Sequence, residues 1–357
     1  MGVTLKDVAK EAGTSVASVS ATLHGTRGET IRVGQATRDR IKKAALSLGY
    51  VANPIAKSLA TGKSRTLGLM LPYVDAFRDE NPFCAQVMHG VLEEVVNRHY
   101  NLMLYTAASD APDAQTPLLV DSRVDGIVLV MPEENSAIAA HCDRQGIPYV
   151  SVLQRPGPGR WCVNADDYRG GRLAARRLWN LGHRRVAHLT GSMDVATSAP
   201  RRDGFCAEMK ELGCPVPEFM VVPSGFTHST GYESMKILLN SPREDWPTGV
   251  FAANDQCAEG AMRAIRERKL SIPEDLAVIG YDDTWYAGVT QPPLTSVHMP
   301  ISEMGSQAVG MLIDRLEGRE VTNYQPLLSV HLTIRQSCSP FSPASTPGTP
   351  ESTALIQ

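Results

Sequence analysis

Two groups of residues in this chain are placed to do chemistry by binding. The first group closes strand-like runs. Asn254-Asp255 follows the apolar run Val250–Ala252, Asp282-Asp283 follows Ala277–Tyr281, and Arg201 opens a helical stretch. Polar side chains at the carboxyl ends of strands face the crevice where open α/β sheets take ligands. A guanidinium fork and a carboxylate can each grip paired hydroxyls or an acidic group. The amide of Asn254 offers a donor and an acceptor together, which suits a sugar hydroxyl. A helix cap at Asn254-Asp255 and a capped turn at Asp282-Asp283 are the structural alternatives; Asp255 and Asp283 are assigned to these, Asn254 and Asp282 to binding. The second group is the serine-rich run Ser15 to Ser20 in a basic N-terminal segment, suited to contacts with phosphate oxygens.

Covalent chemistry finds no support. Ser, His and Asp are present, but no G-x-S-x-G or H-E-x-x-H fixes their mutual placement. No G-x-G-x-x-G or P-loop follows a strand, so dinucleotide and nucleotide cofactors are not expected. The seven cysteines lack C-x-x-C spacing, which reads as reduced thiols and not as a metal site. Adjacent Asp166 and Asp167 point apart, so they read as a helix start, and Gly170-Gly171 reads as packing against a sheet.

The elements that must position these groups follow from periodicity. With 357 residues and 43% apolar content the chain suits two or three domains with a sizeable core. Apolar runs Leu67–Leu71, Ile127–Val130, Tyr149–Leu153, Val186–Leu189, Val250–Ala252 and Ala277–Ile279 read as buried parallel strands. They alternate with amphipathic stretches Phe83–Arg98, Asn135–Gln145, Tyr168–Leu181, Pro200–Leu212, Ser229–Leu239, Asp255–Arg268 and Ser302–Glu317. Such alternation predicts an α/β body with parallel sheets, divided into two lobes.

The N-terminal segment differs. Up to Arg65 it holds eleven Lys and Arg against four Asp and Glu, so a head of +7 sits on a remainder of −10 within a chain of net −3. A basic head on an acidic body is an electrostatic footprint for phosphates. Thr4 and Asp7 can form a capping box, and Leu5, Val8, Ala9 and Ala12 make one helical face. Gly13 turns the chain, Ser15 caps a second helix with Val19 and Leu23 inward, and Ile41, Ala44, Ala45 and Leu48 mark a third. Three short helices with a tight turn predict an all-α helix-turn-helix head, whose second helix enters the major groove. The alternative is an unspecialised small helical bundle, which the basic excess disfavours.

The strings TLKDVAKEAGTSVASVSATLHG, TRDRIKKAALSLGY and YVANPIAKSLATGKSRTLGLMLP closely resemble the head and hinge of the LacI/GalR (lactose-repressor) family of bacterial transcription regulators. The strings NPFCAQVMHGVLEEV, RVDGIVLV, DDYRGGRLAARRLWNLGHRRVAHLTG, FAANDQCAEGAMRAIRE, IPEDLAVIGYDDT and PPLTSV resemble its periplasmic-binding-protein-like body, with two lobes, three crossing segments and a ligand cleft. The resemblance implies that Val16, Ala17 and Ala21 occupy the base-reading positions. Being small and apolar, they offer contact with thymine methyls. Ser15, Ser18 and Ser20 would hold phosphates, and Thr4 completes the implied DNA-binding set with Leu59, which matches a minor-groove wedge. Asn53 and Pro54 would start a hinge helix too short to stand without DNA and a dimer mate. Phe83 and Phe226 match apolar walls of the family's effector site, with Arg201, Asn254 and Asp282 as polar anchors. The chain departs from the pattern at Leu153-Gln154, where an Asp is usual, and at Met299, where a Gln is usual. Thr26 to Arg32 is longer than the usual loop, and Arg27 and Arg32 are read evenly as backbone contacts or solvated charges. Trp285 could stack on a ligand ring or edge a lobe.

The expected organisation is a helix-turn-helix domain over 1–50, a hinge and linker over 51–65, an effector-binding and dimerisation body over 66–338, and a disordered Ser/Pro/Thr-rich tail over 339–357. The expected function is a non-enzymatic regulator, in the repressing sense, with no cofactor. Its partners would be double-stranded operator DNA, a small carbohydrate effector (a nucleobase second), and a second copy in a homodimer, with a tetramer left open. No leader-like apolar run or membrane span is visible, which points to the cytoplasm. A solute-binding protein without DNA contacts and a sugar-processing enzyme are the rival readings; the basic head and the missing catalytic motifs weigh against them.

Overall fold

A computed structural model describes residues 2–24, 32–51, 58, 62–71, 82–105 and 123–342. The wedge residue Leu59, the hinge start Asn53-Pro54, Arg27 and the tail beyond Ser342 lie outside the described residues.

The head holds α1 (Leu5–Glu11), α2 (Val16–Leu23) and α3 (Gln35–Ser47). Thr4 and Asp7 close the capping box, with the Thr4 amide donating to Asp7 Oδ2 at 2.8 Å. Gly13 takes φ +60°, the left-handed turn that the sequence placed there. Ser15 Oγ accepts from the Ser18 amide at 3.1 Å and starts α2. Gly34 begins α3 with no side-chain cap. Val8, Ala9, Ala12, Val19, Ile41, Ala44 and Ala45 form the small shared core.

The body is two six-stranded sheets. The first lobe orders β2 (Asn101–Tyr105), β1 (Thr66–Met70), β3 (Gly126–Val130), β4 (Tyr149–Val152), β5 (Cys162–Ala165) and β11 (Leu327–Leu328). The second orders β7 (Val221–Pro223), β6 (Val186–Thr190), β8 (Gly249–Ala252), β9 (Ala277–Asp282), β10 (Thr295–His298) and β12 (His331–Thr333). All pairings are parallel except β10 with β12. Helices α4 (Pro82–Asn97), α5 (Ala137–Gln145), α6 (Asp167–Asn180), α7 (Ser198–Glu211), α8 (His228–Leu239), α9 (Asp255–Glu267) and α10 (Ile301–Leu316) cover the faces. That cover explains why the central strands are mostly apolar on both faces. The chain passes between lobes three times, from β5 to α6, from β10 to α10 and from β11 to β12.

The segment from Ser339, expected to be disordered, is held for its first four residues. His183 Nε2 donates to the Ser339 carbonyl at 3.1 Å, and the Phe341 amide donates to the Leu181 carbonyl at 2.7 Å. Phe341 also lies 5.7 Å from the His183 ring, an apolar contact the Ser/Pro/Thr composition concealed.

Candidate DNA-reading head and ligand cleft

In the head, α2 buries Val19 and turns Ser15, Val16 and Ala17 outward, while Ser18, Ser20 and Ala21 are half-buried. Val16 is 41% exposed, so an apolar side chain stands in solvent at the start of the helix that follows the turn. Ser15 Oγ is engaged by the Ser18 amide and lies 2.9 Å from Ser18 Oγ. Its remaining capacity is what a phosphate could use. Arg32 is exposed.

In the body, Arg201 lies in the first turn of α7, only 3% exposed. Its Nε donates to Asp167 Oδ1 at 2.7 Å, and its Nη1 donates to the Ala253 carbonyl at 2.6 Å and lies 3.7 Å from Asp282 Oδ1. The guanidinium carbon stands 3.6 Å from the Tyr281 ring centroid, a cation–π contact. Nη2 faces Met299 Sδ at 3.9 Å, a weak acceptor. Burial opposes the charge, but Asp167, Tyr281 and Asp282 outweigh it and keep Arg201 protonated. Burial raises both carboxyls, with Arg201 opposing. Asp282, without a short bond to the guanidinium, is raised well above the usual carboxylate range. Asp282 and Asp283 both take positive φ, +97° and +53°, bending the chain at the end of β9.

Asn254 caps α9. Its Oδ1 accepts from the Cys257 amide at 2.9 Å and its Nδ2 donates to the Phe226 carbonyl at 3.0 Å, so the amide is committed within the protein and positions the Phe226 loop. Phe226 rests on Gly191, where an added Cβ would lie 2.2 Å from the ring. Phe83 begins α4 and packs into the core of the first lobe. The structure thus joins Arg201 to Asp282 and Asn254 to Phe226, and leaves Phe83 on the opposite lobe. Asp255 accepts from Ser296 Oγ, the Thr284 amide and Thr284 Oγ1, and burial pushes its carboxyl up to about 7. Asp283 accepts from Thr333 and contacts Arg335 and His298. Both are structural, as their assignment required. Trp285 is 63% exposed, at the lobe surface.

Three residues of the charge cluster and the cavity wall escaped sequence reading. Asp166 does start α6, through the Arg169 amide at 3.0 Å, but its neighbour Asp167 turns inward as the partner of Arg201. Tyr281 looked like strand core and carries the guanidinium. Gln154, noted only as a departure, is buried with an Oε1 that has no hydrogen-bond partner in the structure. It lines an inter-lobe cavity of about 490 Å³, with Asp167, Tyr168, Thr197 and Pro200. Arg201 stands behind that wall, reached through Asp167.

The pair Gly171 and Gly204 holds α6 against α7. A Cβ on Gly171 would lie 2.1 Å from the Arg201 carbonyl, and one on Gly204 2.0 Å from the Tyr168 carbonyl. Gly171 therefore serves helix against helix, not helix against sheet. The close approach brings Asp167 within reach of Arg201.

A helix-turn-helix head on a two-lobed α/β body, with a buried charge cluster beside the inter-lobe gap, is the architecture of a DNA-binding regulator. Comparison with known proteins places it further. Residues 4–53 match the model for bacterial regulatory proteins of the lacI family, and residues 175–338 match that for a periplasmic binding protein-like domain. The HTH-type transcriptional regulator CelR of Thermobifida fusca is 32% identical, over 94% of this chain and 98% of the relative. A solved CelR–cellobiose complex matches with a TM-score of 0.71 at 30% identity, covering 94% of this chain and 99% of the other. The lac repressor dimer bound to operator and the anti-inducer ONPF matches with a TM-score of 0.80 at 26% identity, over 95% and 100%. The chain belongs to the LacI family of transcriptional regulators; it is a DNA-binding protein and not an enzyme. Among the described residues, no helix is long and apolar enough to cross a membrane.

Proposed function

We propose that the protein is a cytoplasmic repressor that binds a roughly palindromic operator as a homodimer and answers to a small carbohydrate in the cleft between its lobes. One observation carries the ligand half: a buried, protonated arginine tied to two carboxylates and set behind an inter-lobe cavity. Arg201 is already balanced by Asp167 at 2.7 Å, with the Asp282 carboxyl 3.7 Å away, so the cluster offers oriented donors and acceptors and no spare positive charge. That favours a neutral polyhydroxyl ligand over an acid. Gln154 would add an acceptor from the facing lobe. In the head, α2 would lie in the major groove, with Val16, Ala17 and Ala21 against base edges and Ser15, Ser18 and Ser20, with Thr4, near phosphates. A two-fold dimer requires symmetric half-sites. The ligand changes DNA affinity only by binding one state of lobe closure better than the other.

The test is a thermal-shift screen of neutral sugars, sugar acids and nucleobases on the full chain, since a ligand of the folded state raises its melting point. A hit must also change affinity for an operator selected from random DNA. A nucleobase or sugar acid as the sole hit would overturn the neutral-sugar reading. Retention on DNA that does not weaken with salt would overturn phosphate docking.

A further inference from the structure

The point where the head's linker meets the body is gripped by one side chain. Asp125 stands immediately before β3, and its amide donates to the Thr66 carbonyl at 2.8 Å. Its Oδ1 accepts from the Ser64 amide at 2.6 Å and Ser64 Oγ at 2.9 Å, and its Oδ2 accepts from the Arg65 amide at 2.8 Å. Three donors on one carboxylate make a charge-assisted clamp. Arg65 is held from its other sides as well. Its carbonyl accepts from the Asn101 amide at 2.8 Å, and its guanidinium lies 5.1 Å from the Tyr100 ring centroid and 3.9 Å from Glu317. Its φ is +50°, a left-handed conformation that a residue other than glycine keeps only where its surroundings over-determine it.

The β1–β3 ladder starts at Leu67 and Gly126, so the sheet does not need the ties at residues 64 and 65. What those ties fix is where, and in which direction, the chain leaves the lobe toward the head. We propose that Asp125 is a positioning residue: by clamping Ser64 and Arg65 it sets the separation of the two heads in the dimer, and so the half-site spacing the protein accepts. This rests on the dimeric-operator reading above. A freed residue adds up to about 3.5 Å of reach, and one base pair of DNA rises about 3.4 Å. Losing the clamp loosens Ser64 in each protomer and leaves Arg65 held by Asn101, Tyr100 and Glu317 alone, so the two exits together gain slack on the scale of a base pair or two, and movement of the lobe is passed less directly to the head.

The experiment uses the full chain and an operator selected by the wild type from random DNA, with its central spacer then changed by one or two base pairs. Wild type should lose roughly tenfold or more per altered spacer, the scale of a mismatched contact. Asp125→Ala should lose no more than about threefold, while its affinity for random DNA stays at the wild-type value and the body still melts in one cooperative transition. Trypsin should cut after Lys63 and Arg65 faster in the variant. Asp125→Asn, which keeps one acceptor, should fall between, and serves if the alanine variant does not fold. A variant with the wild-type spacing profile overturns the role of Asp125. A wild type with no preferred two-half-site sequence overturns the operator reading itself.

Discussion

Replacing Arg201 by Met keeps the volume of the side chain and removes its charge, leaving Asp167 buried without its cation. Breaking one side of a buried ion pair costs about 3–5 kcal/mol. The stranded carboxyl limits the loss by taking a proton. At pH 7 that costs about 1.4 kcal/mol for each of the roughly three units separating pH from an ordinary aspartate pKa, or about 4 kcal/mol. At pH 5 the same escape costs only about 1.5 kcal/mol. The sign is definite: the folded variant holds a proton that the unfolded chain has released, so its stability falls as pH rises from about 4. Because burial already raises Asp167 somewhat in the wild type, urea unfolding of wild type and Arg201→Met at pH 5 and pH 7 should show a gap that widens toward pH 7 by at most about 2–3 kcal/mol. Adding Asp167→Asn to Arg201→Met should close most of that widening. A gap that does not change with pH, or no recovery in the double variant, would refute the charge argument. In the same protein the response to any ligand found by screening should vanish while operator binding persists; a retained response would remove Arg201 from the ligand site.

Asp255, raised to about 7 by burial, keeps a proton in the folded state that the unfolded chain loses near pH 4, so it withdraws stability as pH climbs from 4 to 7. The stability difference between wild type and Asp255→Asn should accordingly fall over that window, by at most about 4 kcal/mol, in unfolding curves at stepped pH. His188, pushed down to about 4 by burial, acts oppositely and loses stability as pH drops below about 6.5, so single variants are needed to separate the two slopes. Gly204→Ala should cost about 3 kcal/mol or more in denaturant unfolding, because its methyl meets the Tyr168 carbonyl; a neutral substitution would show the helices free to part. Leu59→Ala should weaken selected operator far more than random DNA in binding titrations; equal losses would rule out a wedge.

The sequence made the helices legible because each carries a covered face, and every amphipathic stretch named from it is a helix within two residues at either end. The strands β1, β3, β4, β6, β8 and β9 were equally plain as apolar runs, whereas β5 and β10, also inside the sheets, were not. Edge strands such as β7 and β11 were not: three and two residues long, they owe their conformation to a neighbouring strand and not to any local pattern. The head was readable because its capping chemistry is local, from Thr4 to Asp7 and Ser15 to Ser18. The buried charge cluster was readable only in part. Arg201 and Asp282 stood out at element ends, but Asp167 was indistinguishable from its capping neighbour, since only the tertiary approach of α7 gives it a cation. Asn254 shows the reverse: an amide suited to a hydroxyl whose two polar atoms are already occupied by Cys257 and Phe226.

The interlocked glycines of α6 and α7 make those two helices one rigid bar. On the proposed reading, the arginine is thereby a fixed reference mark for the guest. The facing wall around Gln154 and Arg155 belongs to the other lobe, which meets the start of that bar where the Asp166 amide donates to the Leu328 carbonyl at 2.9 Å. A change of ligand preference in this scaffold is thus easiest to reach by altering the movable jaw while the anvil stays as it is.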